Sequence, residues 1–457
     1  MSAVVAPPAS VLEPLIARET ERFLRDHPKS VAHAEQARGS LLGGVPMSWM
    51  LRWASPVPLV LREARGAQVT DIDGHTYSDL CLGDTGAMTG HAPEPIVRAI
   101  ADRYARGATA MLPTEDAAWV GAELTRRFGV DRWQFTVSAT DANRFALRMA
   151  RAITGRPKVL VFSYCYHGTV DEAFIVLGED GRPASRPGNV GPAYDVRDTT
   201  RVVEFNDRDA LERALRHEDV AVVLTEPALT NIGIVLPEPG FHDALRRLCT
   251  ETGTLLLIDE THTLSAGPGG CTGAWALDPD IVVMGKAVAG GVPTGAFGMR
   301  AELAERMLAD ADADIEDVGG VGGTLAGNAL SLAAARAALG EVLTADAYGR
   351  TIGLARRFAD GVDDVLARHR VGWHVTQLGA RAEYRFSPEA PRDGGASAAI
   401  GHEGLERFLH LHALNRGVLI TPFHNMALMS PATAEADVDR HTAVFDEAVA
   451  ELAPHLR

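Results

Sequence analysis

Three lysines, Lys29, Lys158 and Lys286, serve all 457 residues; the other 41 of the 44 basic side chains are arginine. Chemistry that needs a primary amine therefore has three places to occur. Lys286 follows the apolar run IVVMG and precedes the glycine-rich AVAGGVPTGAFG. At such a strand end an amine is partly desolvated, which disfavours ammonium and favours a nucleophile able to attack an aldehyde. The plainer alternative is a surface lysine at a turn. Asp259 ends the run TLLLI, where a carboxylate is costly unless a cation partners it. It reads either as the partner of a protonated ring nitrogen in an electron-accepting cofactor or as the cap of a loop.

Other candidates follow other apolar runs. Ser138-Ala139-Thr140 lies between WQFTV and a helical segment starting near Asp141. It offers helix N-terminal amides and hydroxyls to a phosphate, though spacing alone favours plain N-capping. Tyr166, in SYCYHG, could stack on a planar ring, and the adjacent His167 could carry a proton or be structural. Thr324, in GGVGGTLAGN, could give its hydroxyl to a phosphate. His402, His410 and His412 read as ordinary helix residues. No GxSxG, HExxH, GxxxxGK[ST] or strand–GxGxxG–helix pattern is present, and no Cys/His spacing implies a metal site.

These residues need elements to hold them. WQFTV, KVLVF, VAVVL, TLLLID and DIVVMG are continuously apolar, as strands buried on both faces of a parallel sheet are. Helical patterns such as ANRFALRMARAI separate them, with Phe145, Met149 and Ile153 at i, i+4, i+8. The expected fold class is α/β: a large doubly wound, mainly parallel-sheet domain over 86–335, whose ligands sit beyond the carboxyl ends of the strands. The first forty residues read as a helix, and PLVLREARGAQVTDIDGHTYSDL reads as a small antiparallel sheet turning at Asp73-Gly74. This N-terminal segment, 1–85, is expected to join a C-terminal α+β small domain over 336–457 containing WHVTQL, ARAEYRF and GVLIT. PEAPRDGGASAAIG reads as a mobile loop.

Composition narrows the function classes. The chain is 46% hydrophobic and 23% charged, with a net charge of 44 − 60 = −16, which argues against nucleic acid or anionic membrane as a partner. Cys81, Cys165, Cys249 and Cys271 are scattered, so a reducing cytoplasm is expected. No stretch approaches 18 uninterrupted apolar residues, and MSAVVAPPASVLEPLIA has no basic n-region.

Together these positions resemble the class III aminotransferases, pyridoxal-phosphate enzymes of fold type I. The resemblance runs through nearly the whole chain. Its most specific segments are FTVSATDANRFALRMARAITGR, YCYHG, LLLIDETHT and DIVVMGKAVAGGVPTGAFG. It implies that Lys286 holds pyridoxal 5'-phosphate as a Schiff base and moves the substrate proton. Asp259 would pair with the ring nitrogen, and Tyr166 would cover a ring face. Ser138, Ala139 and Thr140 would bind phosphate, with His167 also beside the cofactor. Thr324 would reach the phosphate from the neighbouring subunit of a homodimer.

Within the family, TEPALTNIGIVLPEPGF and the C-terminal segment are most similar to the glutamate-1-semialdehyde aminomutase branch. The chain departs where that branch typically has DEVMTGFR and GPVYQAGTLSGN; here stand DETHTLSAG and DVGGVGGTLAGN. Because those changes fall around the cofactor and its lid, the sequence favours an intermolecular transaminase. It would move an amino group, by a ping-pong mechanism, from an amine or amino acid to a small 2-oxo acid or aldehyde. The alternative is intramolecular transfer of the glutamate-1-semialdehyde 2,1-aminomutase type. A silent scaffold would normally have lost Lys286 or Asp259, and both are present. Arg52 and Arg381 are candidates for a substrate carboxylate, Trp49 and Trp53 for an apolar pocket, and His262 for tuning Asp259 or merely packing against it.

Overall fold

The computed structural model describes residues 4–192, 194–309 and 319–456. Asp317 and Val318, part of the departure at DVGGVGGTLAGN, lie outside them. The chain forms two compact units: 1–93 with 349–390 and 399–457, and 94–348 with 391–398. Among the described residues no helix is long and apolar enough to cross a membrane.

The second unit is built on seven strands: β1 (Arg132–Thr136), β2 (Lys158–Phe162), β3 (Thr200–Val203), β4 (Val220–Thr225), β5 (Leu255–Asp259), β6 (Ile281–Met284) and β7 (Gly295–Met299). Their order across the sheet is β1-β7-β6-β5-β4-β2-β3. Neighbours from β6 through β3 are parallel, while β7 runs antiparallel to both β6 and β1. Every residue of β4, β6 and β7 is buried, which explains why their sequences are continuous apolar runs rather than alternating ones. Helix α1 (Ala139–Thr154) buries Ala142, Phe145, Ala146, Met149, Ala150 and Ile153. Phe145 meets Phe297 of β7 edge to face, with ring centroids 6.5 Å apart.

Strand β7 shows what Gly295 and Gly298 supply. A Cβ on Gly298 would stand 2.6 Å from the Trp133 ring, and one on Gly295 would stand 2.3 Å from the Ser138 carbonyl. Those glycines let β7 lie tightly against β1, so small size rather than mobility is what they supply.

Three expectations in the rest of the chain change. The N-terminal helix is two helices, Ala9–Asp26 and Pro28–Ala37, because Pro28 cannot continue the first and instead starts the second. The antiparallel strands Leu61–Arg65, Gln68–Asp71 and Thr76–Asp79 gain a parallel fourth, Val418–Leu419. Residues 388–401 are not simply a loop. They contain the short helix Gly394–Ala399, where Asp393 Oδ1 accepts from the Ala396 N–H at 2.7 Å, and Gly394 packs where a Cβ would lie 2.2 Å from the Ser163 carbonyl.

Gly298→Ala should destabilise the second unit by about 1–3 kcal/mol, the usual cost of overpacking a core. A guanidinium unfolding midpoint measures it, and an unchanged midpoint would mean Trp133 does not pack on the strand.

Candidate active site

The residues singled out by spacing gather where parallel strands end, as an open α/β sheet requires of a ligand site. Asp259 is the last residue of β5, and Lys286 comes two residues after β6. Tyr166 and His167 lie in the turn after β2, and Ser138 caps α1 just after β1.

Asp259 is 3% exposed. One carboxylate oxygen accepts from the Thr261 N–H at 3.0 Å; the other accepts from Asn143 Nδ2 and faces His167 Nδ1, each at 2.9 Å. Burial opposes the charge, but the hydrogen bond and positive charge of His167, then Thr261 and Asn143, hold the carboxyl below its ordinary range. Burial likewise disfavours a charged His167. The Cys165 sulfur and the Asp259 carboxylate nevertheless hold that imidazole well above its usual value. The two shifts agree: a buried ion pair closes the carboxyl end of β5.

Ser138 Oγ accepts from the Asp141 N–H at 3.2 Å, an N-cap on a 16-residue helix. The first amides of α1, those of Ala139 and Thr140 included, have no partner within the helix. Thr140 Oγ1 accepts from the Thr169 N–H at 3.1 Å, which leaves its proton to give. Two glycines bring neighbouring segments against this terminus. A Cβ on Gly168, whose φ is +74°, would stand 2.1 Å from Thr140 Oγ1; one on Gly285 would stand 2.8 Å from Ala139 Cβ.

Lys286 therefore leaves the sheet beside the start of α1. It is half-buried and holds φ at +48°. A left-handed backbone costs a residue with a Cβ roughly 1–2 kcal/mol, strain of the kind that collects at functional sites. Its Nζ lies 2.5 Å from His262 Nε2. His262 Nδ1 lies 2.6 Å from Thr230 Oγ1, which donates to Glu226 Oε2 at 2.5 Å. Glu226 Oε1 in turn accepts from the Tyr166 N–H. Contacts thus run from Lys286 through His262, Thr230 and Glu226 to Tyr166, and from His167 to Asp259. A second path links Thr140, Ala139, Gly285 and Lys286.

Asn143, Glu226 and Thr230 escaped the sequence reading. Asn143 lies within ANRFALRMARAI, and Glu226 and Thr230 lie within TEPALTNIGIVLPEPGF, but only the tertiary fold aims them at the site. Thr324 is exposed on the turn before the helix Ala329–Ala337 and is not drawn into this network. Arg52 and Arg381 belong to the other unit. Arg52 is exposed, whereas Arg381 is fully buried and donates to Thr85 Oγ1 at 2.6 Å. Trp49 is half exposed, with its ring 6.4 Å from that of Phe423, while Trp53 packs beside Phe23 and Tyr77. Of the C-terminal histidines, His402 caps Glu403–Leu414, and His410 and His412 are buried on that helix.

Among the described residues one grouping has metal-ligand spacing, His27, Asp71 and His75. Its polar atoms are already engaged. Asp71 accepts from the Gly74 and His75 N–H groups and from Tyr77 Oη, and His27 bonds the Phe23 carbonyl and Tyr77. Those bonds close the Asp73-Gly74 hairpin.

A buried anionic carboxylate, a helix N-terminus pressed by two glycines and a single amine between them are the features a phosphorylated pyridine aldehyde needs. The family profile "Aminotransferase class-III" matches residues 49–449. The chain belongs to the class-III aminotransferase family. A glutamate-1-semialdehyde 2,1-aminomutase from Chloroflexus aggregans is 32% identical over 95% of this chain and 99% of its own. Among solved structures, a K286A glutamate-1-semialdehyde-aminomutase from Pseudomonas aeruginosa PAO1, in complex with PMP, is 49% identical. It covers 98% of this chain and 100% of its own, with a TM-score of 0.95. An omega-transaminase from Sphaerobacter thermophilus is 29% identical, covers 94% and 99%, and has a TM-score of 0.85. This class-III protein is thus a pyridoxal-phosphate enzyme of fold type I, with an α/β sheet that is mainly parallel.

The expectation of intermolecular, ping-pong transamination is corrected by these relatives, since the more similar ones carry the aminomutase name. The structure explains why DETHT misled. Glu260 is buried and accepts from Thr263 Oγ1 and from the Cys271 and Thr272 N–H groups, and the Thr261 amide serves Asp259. Glu260 and Thr263 stand in both DETHT and DEVMT; of the changed residues, Thr261 serves Asp259 only through its backbone amide and His262 faces Thr230 and Lys286, so neither is evidence of a second substrate.

His167→Ala should cost about 3–5 kcal/mol by leaving a buried carboxylate without its cation. Because the Asp259 carboxyl is held low, the pair's contribution is present above the ordinary 3.8 and lost as pH falls through the folded value. Because the His167 imidazole is held high, the contribution is full below 6.5 and lost as pH rises through the folded value. Unfolding free energies of both proteins across pH 3.8 to 6.5 should differ by a constant amount, and equal stabilities would refute the ion pair.

Proposed function

We propose that this enzyme is an aminomutase that moves the amino group of glutamate-1-semialdehyde from carbon 2 to carbon 1, using one substrate and no oxo-acid acceptor. The observation that carries this reading is the 49% identity, over 98% of the chain, to an aminomutase of nearly superimposable fold. Curated relatives at 30–32% identity bear the same activity in their names.

When bound, pyridoxal phosphate supplies an electron sink for the carbon that loses a proton. Lys286 would hold the cofactor covalently through Nζ; released from it, the same amine would act as the acid/base that moves the proton between substrate carbon and cofactor carbon. The matching lysine number in the K286A relative supports this assignment. Asp259 faces the ring nitrogen with an anionic oxygen, and His167 and Asn143 hold that carboxylate in place and charged. The amides of Ala139 and Thr140, with the Thr140 hydroxyl, receive the phosphate, while Ser138 caps the helix that presents them. Tyr166, whose ring lies edge-on to Phe174, covers one face of the cofactor.

A homodimer completes the site. Thr324 and Leu325 are exposed on one turn, and the Ala329 N–H donates to the Ala108 carbonyl, which ties the start of the following helix to the segment that carries the exposed Met111 and Leu112. An apolar surface of this kind favours burial against a second copy, and Thr324 would then serve the neighbour's phosphate. Four buried free cysteines support a reducing, cytoplasmic setting.

Given glutamate-1-semialdehyde alone, the purified enzyme should yield its amino-shifted isomer by NMR, and Lys286→Ala should lower turnover by at least about 10³-fold. Absence of the isomer, or undiminished turnover in the variant, would overturn the reading. Sedimentation should give twice 48.7 kDa, and Met111→Asp with Leu112→Asp should shift it towards the monomer. A wild-type monomer would refute the shared site.

A further inference from the structure

The bonds that close the Asp73-Gly74 hairpin also build a site outside the chemistry assigned above. His27 Nε2 stands 3.5 Å from Asp71 Oδ2, and His75 Nδ1 stands 3.3 Å from the same oxygen. The three atoms lie within 4.8 Å of one another. Ligand atoms held about 2.0–2.1 Å from a tetrahedral zinc ion stand about 3.3–3.4 Å apart. Both edges that meet at Asp71 therefore have nearly the length that such an ion needs. The third edge, between the two imidazoles, shortens by turning His75, whose side chain is 43% exposed. The other two ligands are fixed, with His27 at 3% and Asp71 at 1% exposure. His27 Nδ1 donates to the Phe23 carbonyl at 2.8 Å, which aims Nε2 towards Asp71. Asp71 Oδ1 accepts the Gly74 and His75 amides at 2.8 and 2.9 Å, while Tyr77 Oη donates to Oδ2 at 2.7 Å. A histidine braced through its second nitrogen and a carboxylate braced by its own hydrogen bonds form the outer shell that orients metal ligands.

We propose that His27, Asp71 and His75 bind a zinc ion, with water in the fourth position on the exposed side of His75. Two imidazoles and one carboxylate suit a borderline-soft ion of this kind, whereas magnesium and calcium take oxygen ligands. The hydrogen-bonded arrangement is the metal-free state. Tyr77 Oη also lies 2.8 Å from His27 Nε2; when zinc takes that nitrogen, the Tyr77 hydroxyl stays on Asp71, whose Oδ2 has a second lone pair for the ion. His75 turns its lone pair inwards and keeps its ring proton on the solvent side. No neighbouring charge competes for the place. Asp73 accepts from the Lys29 and Ser30 amides and the Ser30 hydroxyl, and Lys29 Nζ donates to the Ile72 carbonyl. The ion joins His27, which separates the helices Ala9–Asp26 and Pro28–Ala37, to the strands Gln68–Asp71 and Thr76–Asp79. Its binding energy then becomes stability of that part of the chain. None of these residues takes part in the chemistry assigned above, so the proposal stands apart from the aminomutase reading.

Titration of the full-length, cofactor-loaded enzyme with zinc chloride, after dialysis against a chelator, tests the site by calorimetry. Wild type should bind one zinc ion per chain, and saturating zinc should raise its thermal unfolding midpoint. His75→Ala removes a ligand that is exposed, so the fold is spared. It should weaken zinc binding by at least about tenfold and abolish the rise in midpoint. His27→Gln removes the buried ligand and should abolish binding at the same site; should that variant fold poorly, the exposed His75→Ala still decides. A wild-type enzyme that binds no zinc, or a His75→Ala variant that binds it as tightly as wild type, would overturn the proposal.

Discussion

A carboxylate sealed from water must be matched by a cation or it will not stay ionised. Asp259, at the end of a central strand, meets that constraint through His167 and Asn143. The surrounding architecture serves this pairing. Strand β5 carries the aspartate to the edge of the sheet, the turn after β2 delivers the histidine, and the second turn of α1 delivers Asn143. Three separate segments must be in register for one charge to persist, so the position of the anion is fixed as firmly as the sheet itself. In the proposed reading, cofactor chemistry on a protonated ring nitrogen depends on that fixed charge.

A second constraint is closeness. Gly168 and Gly285 bring two chain segments against the N-terminus of α1 at distances that exclude even a methyl group. The same glycine that follows His167 therefore also seats Thr140, and the one that precedes Lys286 seats Ala139. Packing thus ties the helix terminus, the amine and the buried ion pair into one piece. The strained backbone of Lys286 is held by neighbours on both sides, since β6 precedes it and the buried turn Ala287–Ala289 follows.

Much of this was legible in the sequence because strand ends are. Continuous apolar runs declared a doubly covered parallel sheet, and Lys286, Asp259, Tyr166 and Ser138 each stood just past such a run. What stayed hidden depends on where side chains point in space. Glu226 follows VAVVLT in the same manner as Asp259 follows TLLLI, yet its partner Thr230 is visible only once the loop after β4 has folded back on it. His262 stood in a segment read as a mark of substrate choice, because sequence cannot show whether a side chain faces substrate or lysine. The part played by the glycines of β7 stayed hidden for a related reason: only the fold shows that Gly298 lies beside a tryptophan. Residues 388–401 looked like a loop by composition, and Asp393 capping a short helix decided otherwise.

Whether one substrate suffices is read from the initial rate on glutamate-1-semialdehyde as pyruvate is added from zero. A single-substrate aminomutase should run at full rate without the oxo acid and show no rising dependence on it. A rate near zero that climbs hyperbolically with pyruvate would contradict the claim.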